Sequence, residues 1–149
     1  MKKEVVFGDR FHYPSIEHPN VTFIPSDLRD KESLRALFKD EFKYDAIFHP
    51  ASLYDYFAPL DILLEINVGG LKNFVEVIYE YYDKRNQKPP RFVHWSTCGV
   101  YGEPKYEHYE DGFIKIADET AAYDPPNNYS ISKMEQEKYL HEMKEKKNM

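Results

Sequence analysis

A single cysteine, Cys98, in 149 residues excludes an internal disulfide and any metal site built from thiolates, and no metal is expected. Glycine is scarce as well: there are 6, none in Gly-x-x-Gly-x-x-Gly spacing. No apolar run approaches the roughly 20 residues that cross a bilayer. The opening MKKEVVFGDR lacks the apolar centre and small-residue cleavage site of a signal peptide. The expectation is a cytoplasmic protein in a reducing compartment, with no membrane partner. Positive charge is also in deficit, and the net charge of -6 offers no broad basic surface for a phosphate backbone, so nucleic acid is not expected as a partner. Internal repeats and low-complexity segments are absent.

What is present describes a globular chain, with 42% hydrophobic and 16% aromatic residues in a length that suits one domain. EVVFGD is short, β-branched and closed by Gly8 and Asp9, which predicts a buried strand. VTFIPSD, from Val21 to Pro25, predicts a second. In DLRDKESLRALFKDEF, Leu34, Leu37, Phe38 and Phe42 fall at helical spacing with Asp30 as a cap, an amphipathic helix against a sheet. Ala46 to His49 reads as a third strand stopped by Pro50, and a long helix is expected from about Asp61 to Tyr82, with Ile66, Gly70, Phe74 and Ile78 in one row. Gly69 and Gly70 inside it suggest close backbone approach. RFVHWSTCGVYG is the fourth strand and its exit loop, Glu103 to Asn128 a long surface loop, and a last helix opens at Asn128 and ends in a solvated tail.

Strands alternating with helices predict an α/β fold, a doubly wound parallel sheet whose ligands bind beyond the carboxyl ends of the strands. Asp9 stands at one such end, where a carboxylate can accept hydrogen bonds from an adenosine ribose, or serve as a turn residue. It favours NAD over NADP, whereas Arg10 beside it could hold a 2′-phosphate. Asp27 could bond an adenine amino group or cap a helix. Ala51 and Ser52 after Pro50 are small enough for a ligand to lie on the backbone, or simply follow a proline turn. Asn67 is a polar residue on a largely apolar helix, either tying it to a loop or satisfied in the core. Ser96 and Thr97 place hydroxyls at the fourth strand end.

Tyr129 and Lys133 are four residues apart in NNYSISK and so share a helix face. A phenol titrates near pH 10, and a neighbouring ammonium favours phenolate, which would bring the group toward neutrality. Two ordinary residues on a solvated helix would show the same spacing.

In order and spacing, VVFGD, SDLRD, DAIFHPAS, EINVGG, RFVHWSTCGVYG, ADET and NNYSISK resemble the extended short-chain dehydrogenase/reductase family, which contains nucleotide-sugar epimerases, dehydratases and reductases. The resemblance implies a Rossmann-like NAD(P)-binding domain over residues 1–149. It also implies a small-molecule substrate such as a nucleotide sugar, and hydride transfer between substrate carbon and NAD or NADP. It casts Tyr129 as general acid/base, Lys133 as the group that lowers its pKa and holds the nicotinamide ribose, and Thr97 as hydrogen-bonding the reacting oxygen. Asp9 and Arg10 would then meet the adenosine ribose, Asp27 and Leu28 the adenine, and Pro50, Ala51 and Ser52 the cofactor backbone, with Asn67 supporting the site. Family dehydratases carry Asp-Glu after the threonine, whereas Cys98 and Gly99 stand here, which leaves epimerase or reductase. Tyr54 replaces a residue often basic in the epimerases, and Leu71 a usual threonine.

Against that family the chain begins at the second strand, without the glycine turn that holds the pyrophosphate, and stops before the substrate domain. The expected fold is thus a partial Rossmann-like sheet missing the family's first strand, with apolar edges that pair directly, oligomerise or recruit a complementing chain. Two functional expectations follow: a fragment or split part of an NAD(P)-dependent epimerase or reductase, weak or inactive alone, and an inactive remnant or interaction module retaining the fold.

Overall fold

The structure is a computed structural model and describes residues 5–12, 17–39, 42, 44–102 and 120–147. Most of the expected loop after Gly102, with nearly all of ADET, lies outside the described residues. Among these described residues ten elements follow in order. They are strands β1 (Val5–Asp9) and β2 (Val21–Pro25), helix α1 (Lys31–Arg35), strand β3 (Ala46–His49), helix α2 (Leu60–Leu63), a π-helical segment (Leu64–Gly69), helix α3 (Gly70–Asp83), strand β4 (Arg91–His94), a 3-10 turn (Cys98–Tyr101) and helix α4 (Asn128–Lys147).

β1 and β2 pair in parallel, Val5 opposite Val21 and Asp9 opposite Pro25, while β3 pairs with β4 in a second two-stranded sheet. The fold is α/β and partial, as expected from the sequence. β1 departs from its expectation of burial: Val5 is 53% exposed and no residue of the strand is fully buried. The reason is the two-stranded ribbon, because a β-branched run is buried only where other elements cover both of its faces.

Chain contacts divide the molecule into two compact units, one of Met1–Phe48 with Gly69–Val93, the other of His49–Val68 with His94–Met149. In the first, Ile24 of β2, Leu34 of α1, Ile47 of β3 and Phe74, Val77 and Ile78 of α3 form the core. α1 opens as its sequence dictates, with the Asp30 carboxylate accepting from the Glu32 N–H at 2.9 Å. It runs only five residues, shorter than the apolar spacing suggested, yet Leu37 and Phe38 beyond its end are buried. Arg35 of α1 bonds Glu80 of α3 at 2.9 Å.

Gly70 explains itself here: a Cβ on it would stand 2.6 Å from the Leu28 Cβ. Asn73, one turn on, donates to the Leu28 carbonyl at 2.9 Å, so α3 sits against the backbone that follows β2. The expected long helix is present in outline, but its middle is π-helical. A π turn holds an extra residue, so the row expected from Ile66 to Ile78 breaks before Gly70, and Ile66 is only half-buried. Asn67 and Val68 are buried there instead.

In the second unit Ala58, Leu63 and Tyr129 form a smaller core with Leu53 against it. α4 starts where expected and presents exposed charge toward its end. No helix among the described residues is long and apolar enough to cross a membrane.

Candidate functional site

The second unit holds Thr97, Tyr129, Lys133, Ser52 and Asn67. α4 begins beside Asn127, whose side-chain oxygen accepts from the Ser130 N–H at 2.8 Å, and this cap sets the register in which Tyr129 and Lys133 share a face. Lys133 is 1% exposed, and its Nζ donates to the Ser52 Oγ at 3.1 Å, in the loop that Pro50 starts after β3. Burial pulls the Lys133 ammonium down to about 8, with Glu137 one turn along opposing the shift.

Tyr129 is 7% exposed, with Tyr54 and Tyr56 edge-on to its ring at centroid distances of 4.9 and 5.4 Å. Burial, then Tyr54, push its phenol above the ordinary value. The downward shift expected from Lys133 is therefore not found: burial of the ring penalises phenolate, Tyr54 adds to the penalty, and Lys133 is not among the groups that move the phenol.

Asn67 makes the hydrogen bonds its isolated polarity suggested. Its Oδ1 accepts from the Leu53 N–H at 2.6 Å, and its Nδ2 donates to the Leu53 carbonyl at 3.2 Å and to the Ser132 Oγ at 2.9 Å. Ser132 in turn donates to the Tyr129 carbonyl at 2.7 Å. The Asn67 backbone carbonyl accepts from Gln136 Nε2 at 2.6 Å. One asparagine thus fastens the loop after β3 to the first turns of α4, and it is buried because those bonds replace water. Pro50 and Ala51 remain exposed.

Thr97 caps the 3-10 turn, its Oγ1 accepting from the Gly99 N–H at 3.3 Å. A Cβ at Gly99 would meet the Ser130 Oγ at 2.6 Å, so glycine is what allows this turn to lie on α4 beside Tyr129. Ser96 donates to Glu137, which also accepts from the Tyr123 hydroxyl at 2.8 Å. Sequence reasoning missed Ser132, Gln136 and Glu137, although their i+3, i+7 and i+8 offsets from Tyr129 place them along one side of the helix. It also missed a histidine pair at the strand ends: the Nδ1 atoms of His49 and His94 lie 3.2 Å apart with the rings stacked.

In the first unit, the Asp9 carboxylate accepts from the Phe11 N–H at 3.0 Å, the turn role allowed for it, and is only half-buried. Asp27 is held by two arginines: Arg29 donates to both of its oxygens at 3.1 and 2.8 Å, and Arg10 Nε lies 3.2 Å from Oδ2. These contacts, Arg29 first, hold the Asp27 carboxyl at about 2. The helix cap is Asp30, not Asp27, which accepts from the Arg29 N–H in a turn before it. Leu28 is half-buried against Gly70.

Residues 2–149 match the model of the NAD dependent epimerase/dehydratase family. The chain belongs to this family. Among curated relatives of this epimerase/dehydratase chain is the UDP-glucose 4-epimerase of Lacticaseibacillus casei, 32% identical over 130 residues that cover 83% of this chain and 34% of the relative. The CDP-paratose 2-epimerase of Salmonella typhi is 28% identical over 116 residues, 76% of this chain and 31% of that protein. The chain thus spans about a third of the curated relatives it matches. Among solved structures, the UDP-glucose 4-epimerase from Bifidobacterium longum in complex with NAD+ and UDP is similar at TM-score 0.74 and 22% identity, over 97% of this chain and 42% of that one. DesIV, a dTDP-glucose 4,6-dehydratase from Streptomyces venezuelae with NAD and TYD bound, also gives 0.74 at 22%, over 96% and 42%. These likenesses establish the Rossmann-type fold of the family member described here.

Proposed function

We propose that this chain carries the proton-transfer part of an NAD-dependent epimerase or reductase acting at a hydroxyl-bearing or carbonyl carbon, with a nucleotide sugar as the substrate class. The observation that carries the reading is Lys133, a cation 1% exposed that spends one of its three donors on Ser52 and shares a face with a buried tyrosine. A buried ammonium with donors in hand suits ribose hydroxyls, so the residues present fit the nicotinamide end of the cofactor.

In this reading Lys133 and Ser52 hold that end, with Pro50 and Ala51 offering exposed backbone before them. The first unit, taken by itself, carries Asp9 and Leu28, which the family resemblance assigns to adenosine. NAD is preferred over NADP, because Asp9 would repel a 2′-phosphate while Arg10 is engaged by Asp27. Bound NAD supplies hydride acceptance and return. Tyr129 moves the proton at the substrate oxygen. Its raised pKa keeps the resting phenol protonated, the form that donates to a carbonyl oxygen. Thr97 hydrogen-bonds the same oxygen, and Asn67 positions the loop. Cys98 and Gly99, in place of an Asp-Glu pair, favour epimerase or reductase over dehydratase chemistry.

Calorimetric titration with NAD and NADP tests the reading. NAD should bind more tightly, and Lys133→Met should weaken NAD by at least about tenfold, near 1.4 kcal/mol. Tyr129→Phe should leave affinity within about twofold while abolishing turnover in a competent complex. Equal affinity of the wild type and Lys133→Met for NAD overturns the assignment of Lys133.

A further inference from the structure

One carboxylate of α4, Glu137, receives hydroxyl protons from two separate stretches of the chain. Its Oε1 accepts from the Ser96 hydroxyl, just past β4, and its Oε2 from the Tyr123 hydroxyl at 2.8 Å, in the segment before α4. All three residues belong to the second unit. Hydrogen bonds to an ionised acceptor are roughly twice as strong as neutral ones, and here one side chain takes both. Tyr123 is fixed from other sides too: its ring stacks on Tyr101 at a centroid distance of 6.1 Å, and the following N–H, of Asp124, donates to the Val100 carbonyl at 3.0 Å. Burial and then Glu137 push the Tyr123 phenol up to about 12, so its oxygen keeps the proton it donates.

Polarity separates the two neighbouring hydroxyls at the strand end. A carboxylate only accepts, so the proton of Ser96 is spent on Glu137. Thr97 is engaged the other way round. Its Oγ1 accepts from the Gly99 N–H at 3.3 Å, and its own proton meets no acceptor among the described residues. Of this pair, Thr97 is the hydroxyl with a proton to give.

We infer that Glu137 is a positioning residue: by taking the Ser96 proton it holds the strand end against α4, so that Thr97 and not Ser96 is presented to the reacting oxygen beside Tyr129. The catalytic part of this inference rests on the roles proposed above for Thr97 and Tyr129; the hold itself does not. Glu137 lies one helical turn beyond Lys133 and about two beyond Tyr129, so it acts through the strand end and not on the substrate.

Amide hydrogen exchange of the full chain, read by NMR, tests the hold. The Gly99 amide reports the Ser96 arm and the Asp124 amide the Tyr123 arm. In Glu137→Leu both should exchange at least about fivefold faster, while the Ser26 amide, bonded to the Asp9 carbonyl in the first unit, stays as in the wild type. Glu137→Gln, which can accept from one hydroxyl and donate to the other, should keep both amides within about twofold. Ser96→Ala should speed Gly99 alone and Tyr123→Phe Asp124 alone, and these two decide if Glu137→Leu does not fold. In a competent complex Glu137→Leu should lower kcat by about a hundredfold with KM within about threefold. Slow exchange at Gly99 in both Glu137→Leu and Ser96→Ala, or a kcat unchanged by Glu137→Leu, overturns the inference. Failure of NAD binding to depend on Lys133 overturns the earlier reading instead, and leaves the exchange result standing.

Discussion

Lys133 shows most directly what this site costs at the scale of one residue. An ammonium 1% exposed loses its water for one hydroxyl partner among the described residues, Ser52, and its pKa falls from 10.5 to about 8. A depressed lysine pKa means that the charged form is penalised in the folded state. The penalty is full below pH 8 and disappears as pH rises from 8 toward 10.5, because the unfolded chain then loses the same proton. Lys133→Met should therefore stabilise the protein near pH 6.5 by about 1–3 kcal/mol, and the gain should shrink at pH 10. Urea unfolding at both pH values checks this. The same substitution that weakens NAD is thus expected to strengthen the fold, the trade typical of a functional site.

At the scale of elements, glycine and one asparagine decide how pieces approach. Gly70→Ala gains about 1 kcal/mol of helix propensity. Against that, the new Cβ would meet the Leu28 Cβ at 2.6 Å, a contact that no rotamer change of Leu28 relieves. The clash wins, and a net loss of about 1–3 kcal/mol is expected in denaturant melts. Asn67→Ala removes both links to Leu53 and the one to Ser132, and strands buried partners. About 2–4 kcal/mol should be lost, read as a lower denaturation midpoint. The π-helical segment that brings Asn67 inward is what makes that residue structural.

For the molecule as a whole, the histidine pair sets the acid limit. Burial brings His49 to about 3 and His94 to about 4, each below the 6.5 of an exposed imidazole. The unfolded chain therefore binds these protons first as pH falls. The stability they allow is fully present above pH 6.5 and is lost progressively from there toward pH 4 and below. Thermal melts should show a steep fall in Tm across that window, and His49→Leu with His94→Leu should flatten it. A Tm unchanged between pH 6.5 and 4 would contradict the burial of His49 and the partial burial of His94.

Much of this architecture is legible in a single sequence because it rests on local rules. Val21 to Pro25 and Ala46 to His49 end where their prolines fall, Asp30 caps the helix it precedes, and the Asn127–Asn128 start puts Tyr129 and Lys133 on one face. The order of short motifs carries the family. What the sequence could not supply depends on partners distant in the chain. Whether β1 is covered, where the long helix takes its π turn, and how Arg10 and Arg29 close on Asp27 are decided by packing. So is the direction in which Tyr129 titrates: spacing put a lysine on the same helix face, but only the tertiary structure buried the ring beside Tyr54 and Tyr56, and desolvation with the Tyr54 contact then raised its pKa.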